Sequence, residues 1–350
     1  MTHRVAIAGA TGYTGLELIE LVLAHPEFEL AGVFGSPGGG HGGRPVGEVF
    51  GRLHGRTDLA IEDGTPDAIL ACRPSVVFLC TPHEASAALA PALLDGVEIV
   101  ADLSGAFRLP DPADYPRHYG FEHPAPDLLR EAAYGLPELD PAGLRDARLI
   151  ACPGCYPTAS LLPMRPLLDA GVVEADWTPL IDAVSGISGA GRAASPRTAF
   201  GEVSLQPYNV LAHRHQPEIS THAGRGVLFT PSVAPFFRGM LSVVHLRLAE
   251  AMDAANVRGV LASAYADRPF VRMLPHRAWP AVLGVERTNF ADIGVAVDDS
   301  GTHAVVACAI DNLLKGASGQ ALQAVNVRLG LPETLGLLPA TGAHAAGGSP

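Results

Sequence analysis

The segment Cys152-Pro153-Gly154-Cys155-Tyr156-Pro157-Thr158 has the make-up of a turn that presents a nucleophile. An apolar run, Ala147 to Ala151, enters it as a buried strand would, and the Leu/Ala-rich stretch from Ala159 to Leu168 leaves it as a helix. Cys155 then stands at or just before a helix start. Unpaired N–H groups and the positive end of the macrodipole there favour a thiolate, the species that attacks carbon. A second reading makes the residue a small buried hydrophobe, the ordinary fate of a cysteine. A third, redox or zinc chemistry at C-x-x-C, lacks a second C-x-x-C or a ligand cluster to complete it.

Other loops carry polar chemistry. Ser185-Gly186-Ile187-Ser188-Gly189-Ala190-Gly191-Arg192 is a run of small residues ending in arginine, suited to close approach by a cofactor or an anion. His213-Arg214-His215-Gln216-Pro217-Glu218 places two histidines before a helix-like start. Histidine titrates near neutrality, and in an extended segment residues two apart share a face, so either ring can reach a site. The alternatives are a pair that only anchors its loop, or half a metal site that no nearby cysteine or carboxylate cluster completes. No metal is expected. Arg108 closes Asp102-Leu103-Ser104-Gly105-Ala106-Phe107-Arg108, just beyond a strand at Glu98 to Ala101. It is placed either to hold an anionic substrate by paired hydrogen bonds or to be a solvated surface charge.

These residues need elements to hold them. Arg4 to Ala8 reads as a strand and Leu16 to His25 as an amphipathic helix. Between them Gly9-Ala10-Thr11-Gly12-Tyr13-Thr14-Gly15 is G-x-x-G-x-x-G in the strand-to-helix context of a dinucleotide fingerprint. Gly9, Thr11, Gly12, Tyr13, Thr14 and Gly15 would bring backbone N–H groups to a pyrophosphate, the alternative being a plain glycine-rich turn. A second strand, Phe28 to Phe34, ends in Gly35-Ser36 with no acid for a ribose 2′-hydroxyl. That predicts NADP, with Ser36 and Arg44 as candidates for the 2′-phosphate, unless Gly38 to Gly43 is simply a mobile loop.

A helix near Asp67 to Cys72 precedes the strand Val76 to Cys80. The latter runs into Thr81-Pro82-His83, with Pro82 facing the cofactor from the same sheet edge and His83 read as a cap or surface residue. A helix from about Ala85 to Leu94 follows. Residues 110–146 read as an irregular cover over the sheet.

Beyond Cys155, strands near Thr178 to Val184, Gly226 to Thr230, Met240 to Leu248 and Ala304 to Ala309 predict a mostly antiparallel sheet. Pro163 and Pro166 predict a kink or early break in the helix after Cys155. Asn312 lies just past the last strand, and a helix from about Ser318 to Leu329 is expected to pack back on the first domain. The fold class is α/β: a Rossmann-type dinucleotide-binding domain, 1–154 with 314–338, and an α+β catalytic domain, 155–313. Residues 339–350 read as a disordered tail.

Composition sets bounds on all of this. The chain has 350 residues, 48% hydrophobic and 17% charged, enough for two domains with full cores. A net charge of −12 without a basic cluster excludes nucleic acid as a partner and leaves small molecules. The longest apolar runs fall short of a membrane span, and the N-terminus has no secretory pattern, so no membrane association is expected. Cysteines at 72, 80, 152, 155 and 308 have no paired spacing, which fits a cytoplasmic protein.

A dinucleotide loop, a cysteine at a domain junction and downstream histidines and arginines together specify reduction through a thioester. The chain resembles the N-acetyl-gamma-glutamyl-phosphate reductase family of arginine biosynthesis over about Val5 to Leu338. The most specific matches are Gly9 to Gly15, Cys152 to Thr158, Ser185 to Arg192, His213 to Ile219, and Ala309-Ile310-Asp311-Asn312-Leu313-Leu314-Lys315-Gly316. The resemblance implies a fold like that of glyceraldehyde-phosphate and aspartate-semialdehyde dehydrogenases. It also implies NADPH-dependent reduction of N-acetyl-L-glutamyl 5-phosphate to the 5-semialdehyde, in a homo-oligomer.

Carried over by position, Cys155 is the nucleophile and His215 the proton donor, with His213 close by. Arg108 and Arg192 are similar to substrate-anion arginines, and Ser185, Gly186 and Asn312 to cofactor-binding positions. The family has histidine after Phe-Thr-Pro where this chain has Ser232, and an acid where Ala106 stands. A related reductase of carrier-protein-linked aminoadipyl or glutamyl phosphate follows its cysteine with Asn-Ala rather than Tyr156-Pro157. A non-catalytic dinucleotide sensor would keep Gly9 to Gly15 and need no reactive thiol.

Overall fold

The computed structural model describes residues 2–338. The tail expected at 339–350 lies outside them. The first sheet is built from β1 (His3–Ala8), β2 (Phe28–Gly35), β3 (Ile61–Asp63), β4 (Val76–Leu79), β5 (Ile99–Asp102), β6 (Ala133–Tyr134) and β7 (Leu149–Ala151). Its order is β3-β2-β1-β4-β5-β7-β6, and every pairing is parallel. Val5, Ala6, Ile7 and Ala8 are all buried, as are Val76 to Leu79. Continuous apolar runs of this kind belong to central parallel strands covered on both faces. One covering layer includes Leu18 and Ile19 of the helix Tyr13–Ala24, and the other includes Ala87, Ala90 and Leu93 of the helix His83–Leu94. Strand order reverses between β1 and β4, the switch point at which open parallel sheets open a crevice for ligands.

The second sheet contains β8 (Leu180–Gly186), β9 (Gln206–Pro207), β10 (Leu228–Ala234), β11 (Met240–Arg247), β12 (Val271–Met273), β13 (Ala291–Val297) and β14 (His303–Ile310), ordered β12-β13-β14-β11-β8-β10-β9. It is mixed: β8 with β10 and β12 with β13 are parallel, and the remaining pairs are antiparallel. In β11, Met240, Ser242, Val244 and Leu246 are buried while Leu241, Val243 and His245 are half-buried, the period-two signature of a sheet packed on one face. Ala321, Leu322, Ala324 and Val325 of the last helix, Gly319–Arg328, join the core beneath the first sheet, so the chain returns to where it began.

One expectation fails here. The helix after the cysteine turn runs unbroken from Cys155 to Asp169 through Pro163 and Pro166. Pro166 cannot donate to the Leu162 carbonyl, but the Tyr265 hydroxyl does so from 2.6 Å. Burial of this helix among the second domain's core residues supplies the rest of its stability. Between β14 and the last helix, Leu314–Ser318 form a π turn, with Gly316 N–H bonding to Asp311 O at 2.9 Å and Ser318 N–H to Leu313 O at 3.0 Å.

Candidate active site

Cys155 is the first residue of its helix, with Gly154 as the N-cap. It lines a cavity of about 560 Å³ together with His213, Arg214, His215, His118, Tyr156, Ser185 and Gly186. The turn is clamped from behind. Gly154 N–H donates to Glu218 Oε1 at 2.8 Å, and Arg108 Nε donates to Cys152 O at 2.7 Å. Glu218, wholly buried, also accepts from Tyr134 Oη at 2.9 Å and from Arg108 at 3.2 Å. The π turn forms the floor: a Cβ added at Gly316 would lie 2.7 Å from Cys155 Cβ, so only glycine lets the turn approach. Burial pushes the Cys155 thiol up to about 11, opposed by the Tyr156 N–H and the Arg108 charge. The helix terminus therefore acts in the direction read from the sequence, but burial outweighs it. Cys152 is fully buried, and burial pushes its thiol far higher.

His215 opens the helix His215–Ala223. Its Nε2 presses on the cysteine turn, since a Cβ at Gly154 would lie 2.6 Å away, and its buried Nδ1 has no partner among the described residues. Burial drives its pKa well below 6.5, reinforced by His213, Arg108, Arg214 and His83. At neutral pH it is a neutral imidazole, able to take a proton from a thiol. His213 lies 4.8 Å away, ring centre to ring centre. Its Nδ1 accepts the His215 N–H at 3.1 Å, and burial followed by the Arg214 charge lowers it to about 4. The two rings thus come to one cavity through a helix start rather than through an extended segment.

Arg108 is buried, and its guanidinium is engaged by Cys152 O, Leu103 O and Glu218. Arg192 lies elsewhere: it is exposed, donates to Thr11 O at 3.1 Å and sits 4.6 Å over the Phe50 ring. It lines a separate cavity with Tyr13, Ser188 and Phe237. His83, read as a cap or surface residue, is half-buried. Its Nδ1 accepts the Gly105 N–H at 2.7 Å, and burial lowers it to about 3, with Arg214 and Arg108 adding to the effect.

The dinucleotide cradle is shaped by glycine. Gly9 has φ +81°, and a Cβ there would strike the Cys80 backbone. A Cβ at Gly15 would strike the Gly9 carbonyl, whereas one at Gly12 would make only an ordinary contact, 3.6 Å from the Gly9 oxygen, at the N-cap of Tyr13–Ala24, an end that no side chain caps. An uncapped helix start behind a glycine turn fits a pyrophosphate, with Tyr13 and Thr14 on its first turn. Pro82 is the N-cap of the neighbouring helix His83–Leu94. Asn312 is buried, accepting Gly239 N–H at 2.6 Å and donating to Ser188 Oγ at 2.9 Å, which fixes the loop beside Ser185 and Gly186. Thr11 and Ser36 share a small cavity with His41, Glu62 and Asp63. The carboxylates come from β3, a strand too short to see in the sequence, and Arg44 is exposed and outside the cavity lining.

Fold and site together define a semialdehyde dehydrogenase. Residues 4–147 match the family model for the semialdehyde dehydrogenase NAD binding domain, and 155–312 the one for its dimerisation domain. The N-acetyl-gamma-glutamyl-phosphate reductase of Moritella profunda is 45% identical over 337 residues, covering 96% of this chain and 99% of that one. That of Escherichia coli K12 is 44% identical over 332 residues, covering 95% and 98%. Aspartate semialdehyde dehydrogenase II of Vibrio cholerae superposes with a TM-score of 0.72 at 18% identity, covering 94% of this chain and 98% of that one. The Candida albicans aspartate semialdehyde dehydrogenase solved with NADP gives 0.70 at 15% identity, covering 93% and 98%. The chain belongs to the N-acetyl-gamma-glutamyl-phosphate reductase family.

Proposed function

We propose that this chain reduces N-acetyl-L-glutamyl 5-phosphate to N-acetyl-L-glutamate 5-semialdehyde with NADPH, releasing phosphate, through a thioester on Cys155. The observation that carries the reading is one cavity holding a thiol at a helix start and a buried neutral histidine against the same turn. Near-full-length identity to reductases of that name supports the substrate.

His215 takes the Cys155 proton, and the sulfur attacks the acyl carbon. The carbon–oxygen bond to phosphate breaks, and phosphate leaves with that proton. The bound dinucleotide supplies hydride. Once the thioester carbon is reduced, its oxygen is an oxyanion, and His215, reprotonated from solvent, donates to it. Cleavage of the carbon–sulfur bond releases the aldehyde and regenerates the thiolate as the proton returns to the imidazole. Glu218 and Arg108 hold the cysteine turn in register throughout. Gly9 to Gly15 hold the pyrophosphate, Ser36 the ribose end, and Ser185, Gly186 and Asn312 the nicotinamide side.

Tyr156-Pro157 after the cysteine favours the free acetylated substrate over a carrier-linked one. The chain works as a homo-oligomer in the cytoplasm, in keeping with its match to a dimerisation domain and with unpaired cysteines. No helix among the described residues is long and apolar enough to cross a membrane. The deciding assay runs the reaction backwards. NADP+ reduction by N-acetylglutamate semialdehyde should require inorganic phosphate, and phosphate-independent or absent turnover would overturn the reading.

A further inference from the structure

The cavity over Cys155 has no aspartate or glutamate in its lining, although it contains Arg214 and three histidines, His118, His213 and His215. The nearby arginines differ in what they already hold. Arg108 is buried and spends its donors on Cys152 O, Leu103 O and Glu218, while Arg192 donates to Thr11 O on the dinucleotide loop. Arg214 is exposed to the cavity, and among the described residues no carboxylate or carbonyl accepts from it. It immediately precedes His215 as the N-cap of the helix His215–Ala223, already with helical φ and ψ of −57° and −18°, so its position is tied to the proton-handling residue.

A guanidinium left open beside a nucleophile, in a cavity without a counter-charge, is arranged for an oxyanion ligand, whose planar or tetrahedral oxygens match its paired N–H donors. We propose that Arg214 is the residue that grips the substrate's oxyanion, a phosphoryl or carboxylate group, and that Arg108 is a positioning residue for the cysteine turn. The proposal rests on the reading of Cys155 as the reactive thiol in this cavity. It also accounts for the state of the histidines. Burial, with the Arg214 charge adding to it, keeps His213 and His83 neutral near neutral pH.

The test compares alkylation of Cys155 by iodoacetate and by iodoacetamide, followed by mass spectrometry of the Cys155 peptide in the full-length protein. Both reagents report the same thiolate, so their rate ratio cancels the thiol pKa and reads attraction of an anion into the cavity. Arg214→Gln should lower the iodoacetate to iodoacetamide ratio about tenfold. Arg214→Lys should keep most of it, and Arg214→Met replaces the glutamine variant if that one does not fold. Inorganic phosphate and N-acetylglutamate are then used as protectants. Loss of phosphate protection in Arg214→Gln assigns the phosphoryl end, and loss of N-acetylglutamate protection assigns the carboxylate end. An unchanged ratio, or an equal fall in both rates, overturns the proposal, because the arginine would then act on the thiol or on nothing in the cavity. A protein without reductase activity would fail the proposed function yet still give this ratio, so the two failures are told apart.

Discussion

Cys152 and Cys155 flank one Pro-Gly turn and meet opposite surroundings. Cys152 is sealed in the first domain's core, with its carbonyl held by Arg108, while Cys155 opens on the cavity. Cys155→Ser should abolish turnover with NADPH binding intact. Cys152→Ser should keep turnover and lose about 1 to 3 kcal/mol of stability through a buried hydroxyl, which reverse-assay rates and urea midpoints would separate. A live Cys155→Ser beside a dead Cys152→Ser would exchange the roles. His215→Ala should lose about two to four decades of turnover with little change in NADPH affinity, the usual range for a general acid or base. His213→Ala beside it should cost less turnover, since its Nδ1 is committed to the helix start. Protonation also has a stability sign. Burial depresses the folded pKa of His213 to about 4 and of His83 to about 3 from an ordinary 6.5, so the unfolded chain binds more protons between those limits. Unfolding free energy should therefore fall as pH drops below about 6.5 toward 4, and the fall should be shallower in His213→Gln. The Cys155 turn was legible because a strand, a turn and a helix start are local patterns. Asp63 was not, because β3 is three residues long and Asp63 comes to line the same cavity as Ser36 only through the fold. Asp63→Asn should raise the NADPH to NADH affinity ratio several-fold by removing a charge that opposes the 2′-phosphate, and titration with 2′,5′-ADP checks it.

At the scale of elements, the π turn Leu314–Ser318 and the helix Cys155–Asp169 are fixed by partners distant in the chain. Local rules read Pro163 and Pro166 as a break, but the hydroxyl that relieves Pro166 comes from Tyr265, a separation of 103 positions that no local window contains. The π turn is pinned by Lys315, the chain's only lysine, which is fully buried and donates to Glu138 Oε1 at 2.6 Å and Gln323 Oε1 at 2.8 Å. Glu138 belongs to the 110–146 segment read as a cover. That segment also supplies Tyr134 to Glu218 and His118 to the cavity. Lys315→Met leaves a buried carboxylate without its counter-charge and should cost about 3 to 5 kcal/mol. Adding Glu138→Gln should restore most of that in chemical denaturation, and a double variant no more stable than the single one would show that the pair is not coupled.

Across the whole molecule, alternation of strands and helices made both architectures legible, whereas the contact between them includes single polar residues that carry no periodicity. Arg238, buried behind β10, donates to both oxygens of Glu17 at 3.0 and 2.9 Å, a pair 221 positions apart, and to Asp311. Glu17 lies on the helix that follows the dinucleotide loop, and Asp311 Oδ1 accepts the Leu313 and Leu314 N–H groups at 2.8 and 3.0 Å, at the head of the π turn. One guanidinium thus ties the cofactor cradle to the floor beneath Cys155. Burial alone would raise the Glu17 carboxyl, yet its hydrogen bonds and charge contacts with Arg238 and Arg52 hold it below 4.5. Because the folded pKa is depressed, that contribution is complete above the unfolded value and is lost as pH falls below about 4.5. Arg238→Met removes the larger share of the compensation, so burial should win and Glu17 should titrate above its ordinary value. At pH 7 the variant should be about 3 to 5 kcal/mol less stable than the parent, with buried Asp311 left without a guanidinium and Glu17 left with only the partly exposed Arg52. Acidification should narrow that gap, since protonation relieves the variant while it weakens the parent. Urea unfolding of both proteins at pH 7 and near pH 4.5 measures it, and a gap of equal size at the two pH values would show that Arg238 does not set the charge state of Glu17.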